Sequence, residues 1–300
     1  MKMDVTFGLT AYNAQDTILR AIDSAIACDP AYIIVCDDGS TDKTRKLLKD
    51  RAKEESRLKI EFNPENIGVA AARNRLIECC QTRFLVFLDD DDEAMPDRIE
   101  DQREAFDVAS KKFGHSQILC YGARRAEGCG KVSQGLGVDG AISGEDLLLY
   151  AAVGIRRGNF HPGLMGTGTL FAPTEALRLL GGFDPALRRN EDVELVMRAG
   201  LMKFACISTP KVVLKQYHTT GIEKSASVEA DMRNLILRKH FITFIRYWPL
   251  LPAAYFLQTL GLRVQSASPL AQKGLRAAAM LFVNPIDALN HIREHLKIQS

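Results

Sequence analysis

The sequence predicts an α/β fold, an open and mostly parallel sheet flanked by helices. Three observations lead there: short apolar runs alternate with segments of helical spacing over the first 90 residues, the apolar runs are continuous rather than alternating, and two of them end in acidic clusters. Val5 to Leu9 reads as the first strand, followed by a helix over Asp16 to Ala27 with apolar residues at Ile18, Leu19, Ile22 and Ile26. Tyr32 to Cys36 is an uninterrupted apolar strand, and Asp42 to Glu54 returns to helical spacing. Leu58 to Phe62, Val69 to Cys80 and Phe84 to Leu88 complete a β-α-β-α-β-α-β series. Right-handed crossovers make such a series one parallel sheet, whose ligands lie beyond the carboxyl ends of the strands.

Further along, Pro96 to Phe113 reads as helix, Ser116 to Arg124 as strand, and the glycine-rich Glu127 to Gly144 as loop or irregular hairpin. Thr167 to Phe171 and Val212 to Tyr217 are strand candidates flanking a helix from Glu191 to Ala199. From about Val228 the pattern is helical with proline and glycine breaks, so two parts are expected: residues 1–225, and a helical C-terminal extension over residues 226–300.

The 39 basic and 37 acidic residues leave a net charge of +2, which gives no reason to expect nucleic acid as a partner. The charge is unevenly spread, with nine Lys or Arg against four acids after residue 225. Seven cysteines, with Cys36, Cys79 and Cys80 in segments read as buried, suit a reducing, cytoplasmic compartment. The N-terminus has no secretory pattern. The longest uncharged stretch, Tyr247 to Leu262, is broken by Pro249 and Pro252 and is too short to span a bilayer. The tail mixes basic residues with Phe241, Phe244, Tyr247, Trp248, Leu250, Leu251, Tyr255 and Phe256. Residues 228–300 therefore suit packing on the main domain, a homodimer, or peripheral contact with anionic lipid.

The acids carry the chemistry. The second strand runs into Asp37, Asp38, Gly39, Ser40, Thr41 and Asp42, which suits a turn and a helix cap as well as a ligand site. The fourth runs into Asp89, Asp90, Asp91, Asp92 and Glu93, where mutual repulsion calls for solvent or for a hard divalent cation that shares phosphate oxygens with a substrate. Glu191, Asp192 and Glu194 open a helix; the helix dipole alone would favour them, and a general base for an attacking hydroxyl would also sit there. Asn66, Gly68, Arg73 and Asn74 start a helix tightly, which can bring backbone N–H groups and Arg73 to a phosphate. His218 is either structural or a contact to metal or diphosphate, with Lys215 and Lys224 nearby.

At these residues the chain resembles family-2 glycosyltransferases of the inverting GT-A type over roughly residues 3 to 225. The resemblance lies in the order of TAYN, VCDDGSTD, NIGVAAARN, LDDDDEAMPDRI and GGFDPALRRNEDVELVMR. It implies a GT-A fold with a Rossmann-like nucleotide-binding half. Thr10, Tyr12, Asn13 and Asp38 would lie by a nucleotide base, Asn66, Gly68 and Arg73 by ribose and diphosphate, and Asp89 and Asp90 by the nucleotide sugar. Asp91, with His218, would hold Mn²⁺ or Mg²⁺. Asp192 becomes the implied base, with Glu191 binding acceptor or orienting it. YHTTGIEKS departs from the family's Arg-x-His, since Gln216 stands where Arg would be. The implied reaction is metal-dependent transfer from a nucleotide-diphosphate sugar, with UDP favoured, to a hydroxyl of a glycan or lipid-linked acceptor in cell-envelope polysaccharide biosynthesis. A nucleotidyltransferase and a non-catalytic nucleotide-sugar or metal-binding module are the rivals. TAYNAQDT is not the Gly-rich basic loop the former would carry.

Overall fold

The computed structural model describes residues 3–114, 116–157, 160–217 and 226–263. Strands β1 (Met3–Ala11), β2 (Pro30–Asp37), β3 (Leu58–Phe62) and β4 (Phe84–Asp89) form a parallel block in the order β3-β2-β1-β4. The crossovers are α1 (Ile18–Ala27), α2 (Thr44–Glu54) and α3 (Val69–Cys79). Both faces of this block are buried, so neighbouring residues point into different cores. Phe7, Leu9, Val35 and Val86 face α1 and the later helix α4 (Arg98–Phe113), whereas Ile34, Cys36, Leu85 and Phe87 face α3. That is why these strands read as continuous apolar runs.

The register sets the functional rim. Thr10 pairs across to Cys36 on one side and to Asp89 on the other, so the acidic ends of β2 and β4 emerge level with the end of β1. After β4 the short strand β5 (Glu93–Ala94) leaves the parallel block. It hooks onto β10 (Ala205–Gln216), Lys215 opposite Glu93, so the acidic loop is held at both ends.

The rest of the sheet is mixed. It contains β6 (Ile118–Ala126), the two-residue strands β7 (Val132–Ser133) and β8 (Ile142–Ser143), β9 (Phe171–Pro173) and β10. Helices α5 (Gly144–Val153), α6 (Thr174–Leu179) and α7 (Glu191–Leu201) cover it. Three expectations change here. Thr167 to Phe171, read as strand, begins as a 3-10 turn over Thr167–Thr169, and only Phe171–Pro173 pairs with β4. Helix α5 gave no sequence signal because Leu147, Leu148, Leu149, Ala151, Ala152 and Val153 are buried all round it, leaving no polar stripe to set a period. Strand β10 begins at Ala205 rather than at the expected Val212, and pairs with β6 on both sides of a register shift between Thr209 and Val212, where Pro210 removes a ladder donor and made the sequence read as interrupted.

Helices α8 (Ala226–Tyr247) and α9 (Leu251–Arg263) bury Ile236, Phe244, Leu251, Ala254 and Tyr255 in the core shared by α3, α5 and α7. The expected boundary near residue 225 is therefore crossed by one continuous core. No described helix is long and apolar enough to cross a membrane.

One turn needs its glycine. Gly39 has φ +78°, and a Cβ there would lie 2.4 Å from the carbonyl carbon of Glu65. Gly39→Ala is expected to destabilise the fold by about 1–3 kcal/mol, seen as a lower urea midpoint at unchanged m value.

Candidate active site

The rim opens into a cleft of about 600 Å³. Asp89, Asp91 and Asp92 come from the β4–β5 loop, and Glu191 and Asp192 from the first turn of α7. The floor is the segment Gly166 to Thr169, and Arg124, Gln216 and Tyr217 close one side. Two of the three acidic stretches therefore share one space.

A buried arginine joins them. Arg73 on α3 donates from one guanidinium nitrogen to Glu191 Oε1 at 2.6 Å and from the other to Asp89 Oδ1 at 3.0 Å. α3 can approach the sheet because Gly8 on β1 leaves room for Leu76, whose Cδ1 would lie 3.2 Å from an added Cβ. Arg73, read from the sequence as a phosphate contact, thus bridges the acidic loop and the α7 terminus.

The acidic loop is strapped from outside by groups the sequence did not single out. Arg20 donates to the Asp91 carbonyl at 2.6 Å, pairs with Glu93 at 3.2 Å, and stacks over Tyr217. The Tyr217 backbone N–H donates to Asp92 Oδ1 at 2.9 Å, and its hydroxyl donates to Glu93. Beneath the loop Arg98 is fully buried, donating to the Phe87 carbonyl and to Gln102. Burial pulls the Arg98 pKa down to about 10 against the carboxylates of Asp89 and Asp92. Burial also raises Asp90 and Asp92 to about 7, with the neighbouring carboxylates adding to the rise. Asp90 Oδ2 accepts from the Tyr12 N–H at 3.0 Å, which joins β1 to the loop.

Asp192 lies half-buried at the cleft wall. Its Oδ1 accepts from the Val193 N–H at 2.7 Å, and its Oδ2 faces Gly166. Burial and the adjacent Glu191 push its pKa up to about 7, against the pull of Arg73. Glu194, one turn on, belongs elsewhere: it is buried under α8 and paired with Arg198 and His240. Gly168 lets the floor lie against Asp89, since a Cβ there would be 3.0 Å from Asp89 Oδ2. That signal was missed because Thr167 to Phe171 read as an ordinary strand.

The first acidic stretch does not enter the cleft. Asp38 is buried and accepts from Asn63 Nδ2, Ile67 N and Gly68 N, so its carboxylate pins the loop before α3. Asp37 pairs with Arg45, and Asp42 caps α2 through the Thr44 N–H. Asn13 accepts from the Thr41 N–H, and Tyr12 and Asn66 are exposed beside this loop, with Thr10 at the end of β1 level with Asp89. His218 and Lys224 lie outside the described residues, and Lys215 pairs with Glu127.

Among the described residues no three His, Cys, Asp or Glu side chains are grouped to hold a metal. A protein-only cage is thus absent from this part of the chain. An Asp91 carboxylate at a cleft wall still suits a hard cation that keeps waters and takes the rest of its shell from phosphate oxygens.

The level ends of β1, β2 and β4 and the acidic loop all fall within, or directly against, one matched segment. Residues 6–118 match the family model described as Glycosyl transferase family 2. Through this segment the chain resembles glycosyl transferase family 2. Two relatives resemble the same part. The putative teichuronic acid biosynthesis glycosyltransferase TuaG of Bacillus subtilis is 38% identical over 96 residues, 31% of this chain and 38% of that protein. The UDP-Glc:alpha-D-GlcNAc-diphosphoundecaprenol beta-1,3-glucosyltransferase WfaP of Escherichia coli is 32% identical over 114 residues, 37% of this chain and 45% of that protein. The chain thus spans less than half the length of each of these curated relatives. Among solved structures, S. aureus TarS 1-349 in complex with UDP-GlcNAc has a similar fold, with TM-score 0.62 at 17% identity over 96% of this chain and 84% of that one. The GT-A-like architecture expected from the residues is the one found.

Proposed function

We propose that this chain is a family-2 glycosyltransferase, transferring a sugar from a UDP-linked donor to a hydroxyl of a lipid-linked or polysaccharide acceptor, with inversion. What carries the reading is the Arg73 bridge, which sets the α7 carboxylates opposite the acidic loop across one cleft. The donor's base would lie along Thr10, Tyr12 and Asn13, in a loop shaped by Asp38, and its diphosphate would lie toward Asp89 to Asp91. UDP is favoured by the ligand named for TarS, and a lipid-linked acceptor by the substrate named for WfaP. Arg124 and Arg188, which line the same cleft, suit phosphate groups.

Asp192 takes the proton of the acceptor hydroxyl, and the oxygen attacks the anomeric carbon from the face opposite the diphosphate. The bond from that carbon to the diphosphate oxygen breaks, and its electron pair leaves with the nucleotide. Glu191, held by Arg73, orients the first turn of α7 rather than moving a proton. A Mn²⁺ or Mg²⁺ ion at Asp91, when bound, would offset the negative charge gathering on the leaving diphosphate.

The test is a thermal-shift panel with UDP-sugars, with and without Mn²⁺. Donor at about one hundred times its Kd should stabilise the protein by about 2.7 kcal/mol. Asp91→Ala should abolish the part of the shift that needs the cation. An unchanged cation-dependent shift in that variant would remove Asp91 from the site, and UDP release that ignores added acceptor would leave a binding module.

A further inference from the structure

The outer face of the α8–α9 hairpin is apolar and cationic together. Its inner face is used up by Ile236, Phe244, Leu251 and Tyr255, so the exposed apolar residues are a second set: Phe241, Ile242, Ile245, Tyr247, Leu250 and Phe256. Ile242 is 76% exposed, which no packing within the described chain explains. Arg238 and Arg246 are exposed on the same helix. Arg233 instead turns inward over Tyr255, and Lys239 pairs with Asp184. From Asp231 to Arg263 there are five Arg or Lys against a single acid, the exposed Asp231 two turns before Arg238.

We infer that this face docks on an anionic phospholipid surface, with the apolar side chains at the headgroup boundary and Arg238 and Arg246 against the phosphates. An exposed apolar face flanked by arginine and net cationic is the pattern of an interfacial helix. A second copy is the weaker occupant, because a two-fold contact would set this net-cationic face against itself and bring like charges together. Residues 264–300 carry Lys273, Arg276, Arg293 and Lys297 against Asp287 and Glu294, so they offer no negative complement either.

The surface adjoins the cleft. The Arg188 N–H donates to Met232 Sδ at 3.3 Å, and His240 meets Glu194 at 2.9 Å, so α8 lies along the helix that carries Asp192. A bilayer on the hairpin would bring lipid-borne molecules to the cleft edge. The inference does not depend on the transfer reading, since lipid partition is measured without donor or acceptor.

The full chain should co-sediment with vesicles containing phosphatidylglycerol and much less with pure phosphatidylcholine, and the difference should shrink in high salt. R238E/R246E should lower the partition coefficient at least about tenfold, and I242S/F256S should do likewise. Both variants should keep the wild-type melting temperature and nucleotide-dependent thermal shift, which separates lost docking from lost folding. Absent or equal partition into the two vesicle types would overturn the inference. So would partition unchanged in both variants, or a dimer in sedimentation velocity that I242S/F256S dissolves while leaving vesicle binding intact.

Discussion

Asp192→Asn is expected to lower kcat by about 10²–10⁴-fold, while UDP-sugar binding stays at the wild-type level. Amide and carboxylate have nearly the same shape, so the Val193 N–H keeps its acceptor and the cleft keeps its form. What disappears is the group proposed to accept the hydroxyl proton. The pH dependence sharpens the test. Burial, then the Glu191 charge, raise the Asp192 pKa from 3.8 to about 7. Wild-type turnover should therefore rise as pH increases through about 7, because only the ionised form is a base. Stability moves the opposite way. A carboxyl whose folded-state pKa is raised stabilises the fold fully below its ordinary range, and that contribution is lost as pH rises through about 7. The neutral Asn variant should accordingly melt above wild type at pH 8, by a smaller margin at pH 5. Equal kcat in the two proteins would exclude Asp192 as the base.

Arg73→Met should be the most destabilising single change at the site, by about 3–5 kcal/mol. It leaves Glu191, which is buried, and Asp89 without the cation between them. The charge left behind dominates the loss, because the methionine stem fills much of the same space against Phe183. Adding Glu191→Gln to Arg73→Met should restore part of the stability without restoring turnover, since the tie between α3 and α7 stays broken. Denaturant midpoints of the two single variants and the double variant form the cycle that measures this. Additive losses would mean that Arg73 and Glu191 act independently.

The two effects differ in how far the residues foretold them. That Asp192 opens a helix was legible, because Glu191, Asp192 and Glu194 follow a glycine turn and the helix dipole favours acids in a first turn. The role of Arg73 was not, since its partners lie 16 and 118 positions away along the chain. Asp38 carried two readings, a turn or cap and a ligand site, and the partners of its carboxylate among the described residues are Asn63, Ile67 and Gly68, all from the segment that follows β3. The straps Arg20, Tyr217 and Arg98 left no mark, because an isolated arginine or tyrosine in a sequence looks the same whether it is solvated or buried.

The parallel block from β1 to β4 and the acids at its carboxyl edge follow from the chain alone, for a physical reason. Burial on both faces forces continuous apolar strands, and the chain after each strand must turn where a ligand can sit. Folding decided the rest: which carboxylates meet across the cleft, which arginines balance them, and which side chains of α8 and α9 remain in solvent. Charge balance in a low-dielectric site depends on distances between remote residues, and those exist only once the chain has folded.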